Sequence, residues 1–228
     1  PVDVAGVPPD YFSKTGQLWG NPLYNYEKMK QDNYSWWVNR VRYSLKQTDY
    51  VRIDHFRGFS AYYAIPFGEE TAINGKWVKG PGMDLFNVIN SELNNPKIIA
   101  ENLGLLDDDV NQLIKDTTYP GMKILEFEVY SQESINELKQ LDANNILYPG
   151  THDNNTFIGW YKENSSEEER RLILKEFKLK ENEGLTEGLI RYCYNSQFDY
   201  VIMLLQDVLG YDSNTRYNYP GKGSGNWQ

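Results

Sequence analysis

Apolar positions along the chain predict helices that alternate with short strands. In residues 32–46, Trp37, Val41 and Leu45 recur four residues apart, as they do along one face of a helix. Residues 50–54, YVRID, are mostly β-formers and predict a short strand. Apolar periodicity predicts further helices near residues 84–93, 107–116, 134–141, 166–177 and 187–195.

Four more apolar runs, between and after these helices, predict strands. They cover residues 97–102, 123–129, 145–153 and 200–210, and the last could be strand, helix or a strand that passes into a helix. Strands that read as nearly continuous apolar runs between helices are typical of a parallel sheet covered by helices. A closed (β/α)8 barrel needs eight strands and about 250 residues. The pattern therefore indicates either a part of such a barrel or three strands that it does not reveal.

The first 26 residues lack a helical period. Pro at positions 1, 8, 9 and 22, and Gly at positions 6, 16 and 20, predict a long irregular segment. Such segments within compact proteins are often functional.

Composition narrows the classes of ligand and location. The 228 residues are 40% hydrophobic, enough for a sizeable core, and the 18 Tyr and 6 Trp suit a surface that holds flat, hydroxylated molecules. A net charge of −9 argues against nucleic acid and anionic membrane surfaces as partners. Cys193 is the only cysteine, and neither a Cys/His cluster nor a membrane-spanning apolar run occurs. We therefore expect a cytoplasmic protein without metal or cofactor.

Three predicted strands carry an acidic residue near the end of the apolar run: Asp54, Glu101 and Asp153. In a (β/α)8 barrel the carboxyl ends of the strands share one face, which is where active sites lie. For any one of these acids alone, a helix N-cap or a surface acid is the more common interpretation. Because the coincidence occurs three times, we expect the carboxylates to converge.

Converging carboxylates without a metal site suit glycosyl transfer. One carboxylate attacks the anomeric carbon, while a second protonates the departing oxygen and later deprotonates the incoming hydroxyl. The two lie about 5 to 5.5 Å apart in retaining enzymes and about 6.5 to 9.5 Å apart in inverting ones, and the sequence does not distinguish these cases. A third can favour the oxocarbenium-like transition state electrostatically.

The neighbours of these acids suggest how the roles divide. Arg52 lies two residues before Asp54, on the same side of a strand, and would keep that carboxylate ionised. Glu101 follows three apolar residues, and burial there would raise its pKa, as an acid/base requires. The only two histidines, His55 and His152, adjoin Asp54 and Asp153. As neutral donors they could bind sugar hydroxyls, although each alone would more often be a packed, hydrogen-bonded residue.

Several segments resemble those of a known family. VRIDHFRGF, IIAENLG and PGTHDNNT resemble signature segments of the 4-α-glucanotransferases (amylomaltases, or disproportionating enzymes) of the α-amylase clan. VAGVPPDYFSKTGQLWGNPLYNY resembles that family's loop beside the acceptor side of the cleft, and QDVLGYDSNTRYNYPGKGSGNWQ resembles its last-strand region. The resemblance implies an α/β fold, a partial (β/α)8 barrel with roughly its last five strands. Residues 1–32 would form a substrate-cleft loop segment and residues 33–228 the C-terminal portion of the catalytic barrel.

The resemblance also implies residue roles. Asp54 would be the nucleophile, Glu101 the general acid/base and Asp153 the transition-state stabiliser. The substrate-binding residues that it implies are Arg52, His55 and His152 beside these acids, Asp10, Tyr11 and Phe12 in the opening segment, and, with weaker roles, Trp19, Asn21, Asn154 and Arg216. Tyr11 and Phe12 would stack on glucosyl units, although a packed surface pair is the alternative.

The implied reaction moves an α-1,4-glucan segment to the 4-hydroxyl of another glucan or of glucose, with maltooligosaccharides, starch or glycogen as substrates. Members of this family are much longer, so we expect the first three barrel strands to precede Pro1 and more sequence to follow Gln228. We expect little turnover from these 228 residues alone. The unpaired sheet edges of a half-barrel would favour self-association.

Two other functions compete with glucan transfer. An amylase-type hydrolase would use the same three acids with water as acceptor, but the aromatic opening segment favours a glucan acceptor. A non-catalytic glucan-binding module would explain the abundant Tyr and Trp, but binding alone does not require three strand-end carboxylates.

Overall fold

The computed structural model describes residues 2–10, 13–104 and 106–227. The chain forms two compact units, Pro1–Pro120 and Gly121–Gln228, and each mixes helices with strands. This division reflects packing, whereas the predicted division into residues 1–32 and 33–228 reflects role and stays a prediction.

The first unit contains a four-stranded antiparallel sheet, a two-stranded parallel sheet and four α-helices in its described part. The antiparallel sheet has the order β2-β1-β4-β5, and the parallel sheet pairs β3 with β6. The elements are β1 (Asp3–Val7), β2 (Gln17–Pro22), α1 (Tyr26–Gln31), α2 (Ser35–Ser44), β3 (Val51–Ile53), β4 (Ala61–Pro66), β5 (Lys76–Lys79), α3 (Met83–Leu93), β6 (Ile98–Ala100) and α4 (Asp108–Thr117).

The interpretation of the first 26 residues as irregular is wrong, because they contribute β1 and β2 to the antiparallel sheet. Gly6 is one of the residues that led to this prediction, because a glycine in the sequence often interrupts a strand. Within β1, Gly6 is a close-approach position: a Cβ added there would lie 2.2 Å from the carbonyl oxygen of Gln17 on β2. The glycine therefore permits strand pairing here instead of interrupting it.

The core of the first unit lies between its helices and the parallel strands. The apolar stripe of α2 is confirmed, since Trp37 and Val41 are buried and Leu45 packs against them. Phe56 stacks on Phe86 of α3 with ring centroids 4.9 Å apart. Ile53 of β3 and Ile98 and Ala100 of β6 belong to this core.

The second unit contains a three-stranded parallel sheet, in the order β7-β8-β9, with helices between the strands. Its elements are β7 (Gly121–Ile124), α5 (Leu125–Glu128), α6 (Gln132–Leu138), β8 (Asn145–Tyr148), α7 (Phe157–Glu163), α8 (Glu167–Phe177), α9 (Leu185–Tyr194), β9 (Tyr200–Val201) and α10 (Leu205–Val208). A capping box between Ser166 and Glu169 begins α8, which explains its position.

The predicted strand at residues 123–129 is correct only at Lys123 and Ile124, the last two residues of β7. The chain turns into α5 at Leu125, because Leu125 and Val129 are buried one helical turn apart and the N–H of Val129 donates to the carbonyl of Leu125. The run at residues 200–210 is a strand that passes into a helix, one of the alternatives left open.

All five predicted strands are present as β3, β6, β7, β8 and β9, and each pairs in parallel with a neighbour. They belong to two sheets, one in each unit, in the described part of the chain. Within that part, no helix has the length and apolar character needed to cross a membrane.

Candidate active site

Two of the three predicted acids lie at the same edge of the first unit's parallel sheet. Asp54 follows β3 and Glu101 follows β6, and the register pairs Ile53 with Ala100 directly before them. The guanidinium of Arg52 donates to Asp54 Oδ1 at 2.8 Å, the pairing predicted from their spacing. The Asp54 side chain is 82% exposed, so it is accessible to a substrate.

Glu101 is the more buried member of this pair. Its Oε2 accepts from the N–H of His55 at 2.7 Å, and its Oε1 accepts from the N–H of Leu103 at 2.7 Å. Burial raises the pKa of Glu101, and these two hydrogen bonds and Arg52 oppose that rise while Asp54 adds to it. The raised pKa agrees with the prediction from its apolar neighbours, and the carboxyl contacts the residue directly after Asp54.

His55 links the two acids to the opening segment. Its backbone is left-handed, with φ of 48°, which turns the chain out of the strand. Burial and Arg57 lower the pKa of His55, while Asp54 raises it, so the imidazole is neutral at neutral pH. The ring of Trp19 meets that of His55 edge to face, with centroids 4.8 Å apart. His55 can therefore serve as a neutral hydrogen-bond donor or acceptor.

A cavity of about 590 Å³ adjoins this cluster within the first unit. Several predicted site residues line it, namely Trp19, Asn21, Arg52, Asp54 and His55. Aromatic residues contribute much of the remaining wall, namely Tyr24, Tyr26, Trp37, Phe59 and Tyr62. A concave surface that combines aromatic rings with a few polar groups suits a carbohydrate ligand.

The predicted sugar contacts of the opening segment are only partly visible. Asp10 Oδ1 accepts from the N–H of Ser13 at 2.8 Å. Tyr11 and Phe12 lie outside the described residues, so their stacking on glucosyl units stays a prediction.

Asp153 lies in the second unit, on the loop after β8, with donors on both sides. Its Oδ1 accepts from Asn218 Nδ2 at 2.9 Å, and its Oδ2 lies 3.2 Å from His152 Nε2. Arg216 donates to the main-chain carbonyl of Asp153 at 2.6 Å. Asn154 Oδ1 accepts from the N–H and hydroxyl of Thr151, which closes the turn that presents Asp153. That Asp153 joins Asp54 and Glu101 around one sugar stays a prediction.

Asn218 is a site residue that sequence reasoning missed. It is buried and binds both the carboxylate of Asp153 and the carbonyl of His152. The available signal was its position two residues after Arg216, in a segment that the family resemblance already covered.

If the intact protein has the transferase activity that the resemblance implies, replacing Asn218 with alanine is expected to lower that activity about 10- to 100-fold, because a hydrogen bond to a charged group contributes about 1.5–3 kcal/mol. The loss should appear mainly in kcat if Asp153 acts on the transition state. Steady-state kinetics on maltotriose would measure it, with the exposed Asn136→Ala on α6 as control. Unchanged kcat in Asn218→Ala would contradict the role of this hydrogen bond.

Residues 2–228 match the model of glycoside hydrolase family 77, described as 4-α-glucanotransferase. The chain belongs to this family. It is 46% identical over 225 residues to a 4-α-glucanotransferase of Streptococcus pneumoniae, covering 98% of this chain and 45% of that protein. It is 44% identical to that of Aquifex aeolicus, covering 100% of this chain and 47% of that protein.

A solved structure also resembles this chain. The amylomaltase from Streptococcus agalactiae in complex with acarbose has a TM-score of 0.93 and 40% sequence identity. The match covers 100% of this chain and 46% of that structure. The chain thus spans about half the length of its 4-α-glucanotransferase relatives.

Proposed function

We propose that the protein with this chain is a retaining 4-α-glucanotransferase. Beside membership of the family, the observation that supports this most is the hydrogen bond from the N–H of His55 to Glu101 Oε2. It joins the candidate acid/base to the residue after the candidate nucleophile. An exposed carboxylate beside a buried one of raised pKa suits the division into a nucleophile and a general acid/base.

The proposed reaction has two steps. In the first, Asp54 attacks the anomeric carbon while Glu101 protonates the departing glycosidic oxygen, and a covalent glucosyl-enzyme forms. In the second, Glu101 accepts the proton of an incoming 4-hydroxyl, whose oxygen displaces Asp54 from the same face that the leaving group vacated. The guanidinium of Arg52, 2.8 Å from Asp54 Oδ1, holds that carboxylate in place. Asp153 would stabilise the positive charge of the transition state, with His152 on the sugar hydroxyls.

The acceptor distinguishes this reaction from hydrolysis. We propose that the aromatic wall of the first unit's cavity, with Tyr11 and Phe12, holds an α-glucan oligosaccharide and keeps water away from the intermediate. We also propose that β3, β6, β7, β8 and β9 are strands of a (β/α)8 barrel, because each parallel strand is followed by a helix or by a site residue. A cytoplasmic location is part of the same proposal.

Product analysis of the intact protein on maltotriose in H₂¹⁸O tests transfer against hydrolysis. We expect glucose together with maltopentaose and longer chains, and no ¹⁸O in the reducing ends, because the 4-hydroxyl of a sugar resolves the intermediate. A hydrolase would instead form glucose and maltose with one ¹⁸O for each bond cleaved. Binding of maltotriose without any product would indicate a binding module. Either of these two results would overturn the proposed function.

A further inference from the structure

Two buried carboxyl groups of the second unit lie beside the site without belonging to it. Glu126, in the first turn of α5, is 5% exposed, and Asp207, in α10, is 0% exposed. Glu126 follows β7 and Asp207 follows β9, and these are the two strands that flank β8. The loop after β8 carries Asp153, so the buried carboxyls approach this loop from both sides.

Each carboxyl residue contacts one end of that loop. At its start, the N–H of Glu126 donates to the carbonyl of Pro149 at 3.2 Å. A Cβ added at Gly150 would lie 3.0 Å from Glu126 Oε1, so the loop passes close to this carboxyl. At its end, Asp207 Oδ1 accepts from the N–H of Phe157, the first residue of α7, at 2.7 Å.

One oxygen of each carboxyl has no hydrogen-bond partner in the described part of the chain. These atoms are Glu126 Oε1 and Asp207 Oδ2, and both are fully buried. A buried unpaired carboxylate is costly, and two neighbouring ones repel each other. The least costly arrangement gives one of the two a proton.

The surrounding charges decide which carboxyl holds it. Burial and the charge of Asp207 raise the pKa of Glu126 to about 9, against a smaller opposing effect of Arg216. Burial raises the pKa of Asp207 only to about 6, since the N–H of Phe157 favours its ionised form. Burial, and to a lesser extent Asp207, also raises the pKa of the neighbouring Cys193 and Tyr217, which therefore stay neutral. At neutral pH Glu126 is thus the neutral acid and Asp207 the anion.

We propose that Glu126 and Asp207 are positioning residues for the reaction, a buried carboxyl pair with one proton that holds both ends of the loop carrying His152 and Asp153. The proposal rests on the proposed function. Glu126 acts on the start of the loop as a neutral polar side chain that packs against Gly150, and Asp207 anchors its end. Arg216 connects the pair to the site, because its guanidinium donates to the carbonyl of Asp153 and its charge also reaches Glu126.

The test compares Glu126→Gln with Glu126→Leu in the intact protein. Glutamine keeps the size and the neutral polar group, so kcat on maltotriose at neutral pH should stay within about threefold of wild type. Leucine keeps the bulk but not the polarity. We expect kcat to fall about 10- to 100-fold with KM nearly unchanged, because small displacements of reacting groups cause losses of this size. A glutamine variant as impaired as the leucine variant, or a leucine variant as active as wild type, would overturn the proposal.

A second measurement does not need glucan transfer. A carboxyl with a raised pKa in the folded state contributes most to stability at low pH, and this contribution is lost as pH rises. The free energy of unfolding of wild type, relative to Glu126→Gln, should therefore fall between the ordinary pKa of 4.5 and about pH 9, and level off above that. When Asp207→Asn is added to both wild type and Glu126→Gln, the repulsion between the two carboxylates is absent. The fall in the free energy of unfolding should then end at a lower pH. A difference that does not vary with pH would contradict the neutral acid even if transfer is observed. Conversely, the expected pH dependence in a protein that transfers no glucan would overturn the proposed function alone.

Discussion

Replacement of Asp54 by asparagine is expected to lower glucan transfer by about 10⁴-fold or more, the range seen when a residue that forms the covalent intermediate is removed. The amide of asparagine has the size of the carboxylate but cannot form a glucosyl ester. The Asp54 side chain is 82% exposed and forms an ion pair with Arg52, so we expect the variant to fold like wild type. Kinetics on maltotriose would measure the loss, and calorimetry with a maltooligosaccharide should still detect binding.

The control for this variant is Asp49→Asn, an exposed position just before β3 and outside the proposed site. It should retain both turnover and binding. Asp54 would no longer be the nucleophile if Asp54→Asn turned over maltotriose like this control. Loss of both turnover and binding would instead place Asp54 in substrate recognition.

The parallel strands were predictable because their sequences carry the information locally. KIIAE and NILYPG are short apolar runs, and β6 and β8 are buried along their whole length apart from Asn145. The antiparallel sheet was not predictable in this way. Every residue of β2 is exposed, and β1 contains Gly6, whose use depends on a strand that pairs with it from elsewhere in the chain. Local propensity does not report such tertiary pairing.

The residues of the candidate site differ in the same way in how far the sequence predicts them. Asp54 and Glu101 were predictable as a pair because strand ends of parallel neighbours meet at one edge. Glu126 and Asp207 were not predictable, because the neighbours of a buried polar residue in the sequence do not distinguish it from an exposed one. Glu126 lies within LEFEV, whose alternation suggests an outward-facing acid, and only the turn into α5 buries it. Burial of this kind is a property of packing.

Replacement of Glu101 by alanine should separate the two proposed steps. We expect transfer from maltotriose to fall about 10²- to 10⁴-fold, the usual contribution of a general acid/base. With α-maltosyl fluoride as donor the loss should be much smaller, because fluoride departs without protonation. The variant should then accumulate a maltosyl-enzyme on Asp54, visible by mass spectrometry as an added maltosyl mass, since no base activates the acceptor.

Azide as the acceptor reveals the stereochemistry of the reaction that this variant catalyses. It needs no general base, so it should restore turnover of the fluoride by Glu101→Ala, and the product should be the α-anomer of maltosyl azide after two displacements. Glu92→Ala on the exposed face of α3 should behave like wild type in every assay.

The raised pKa of Glu101 also predicts how activity depends on pH. Cleavage of maltotriose requires the protonated form of Glu101, so wild-type activity should fall as pH rises through that pKa. The turnover of maltosyl fluoride with azide by Glu101→Ala should show no such fall. A β-azide would contradict retention, and equal losses on maltotriose and fluoride would remove Glu101 from proton transfer.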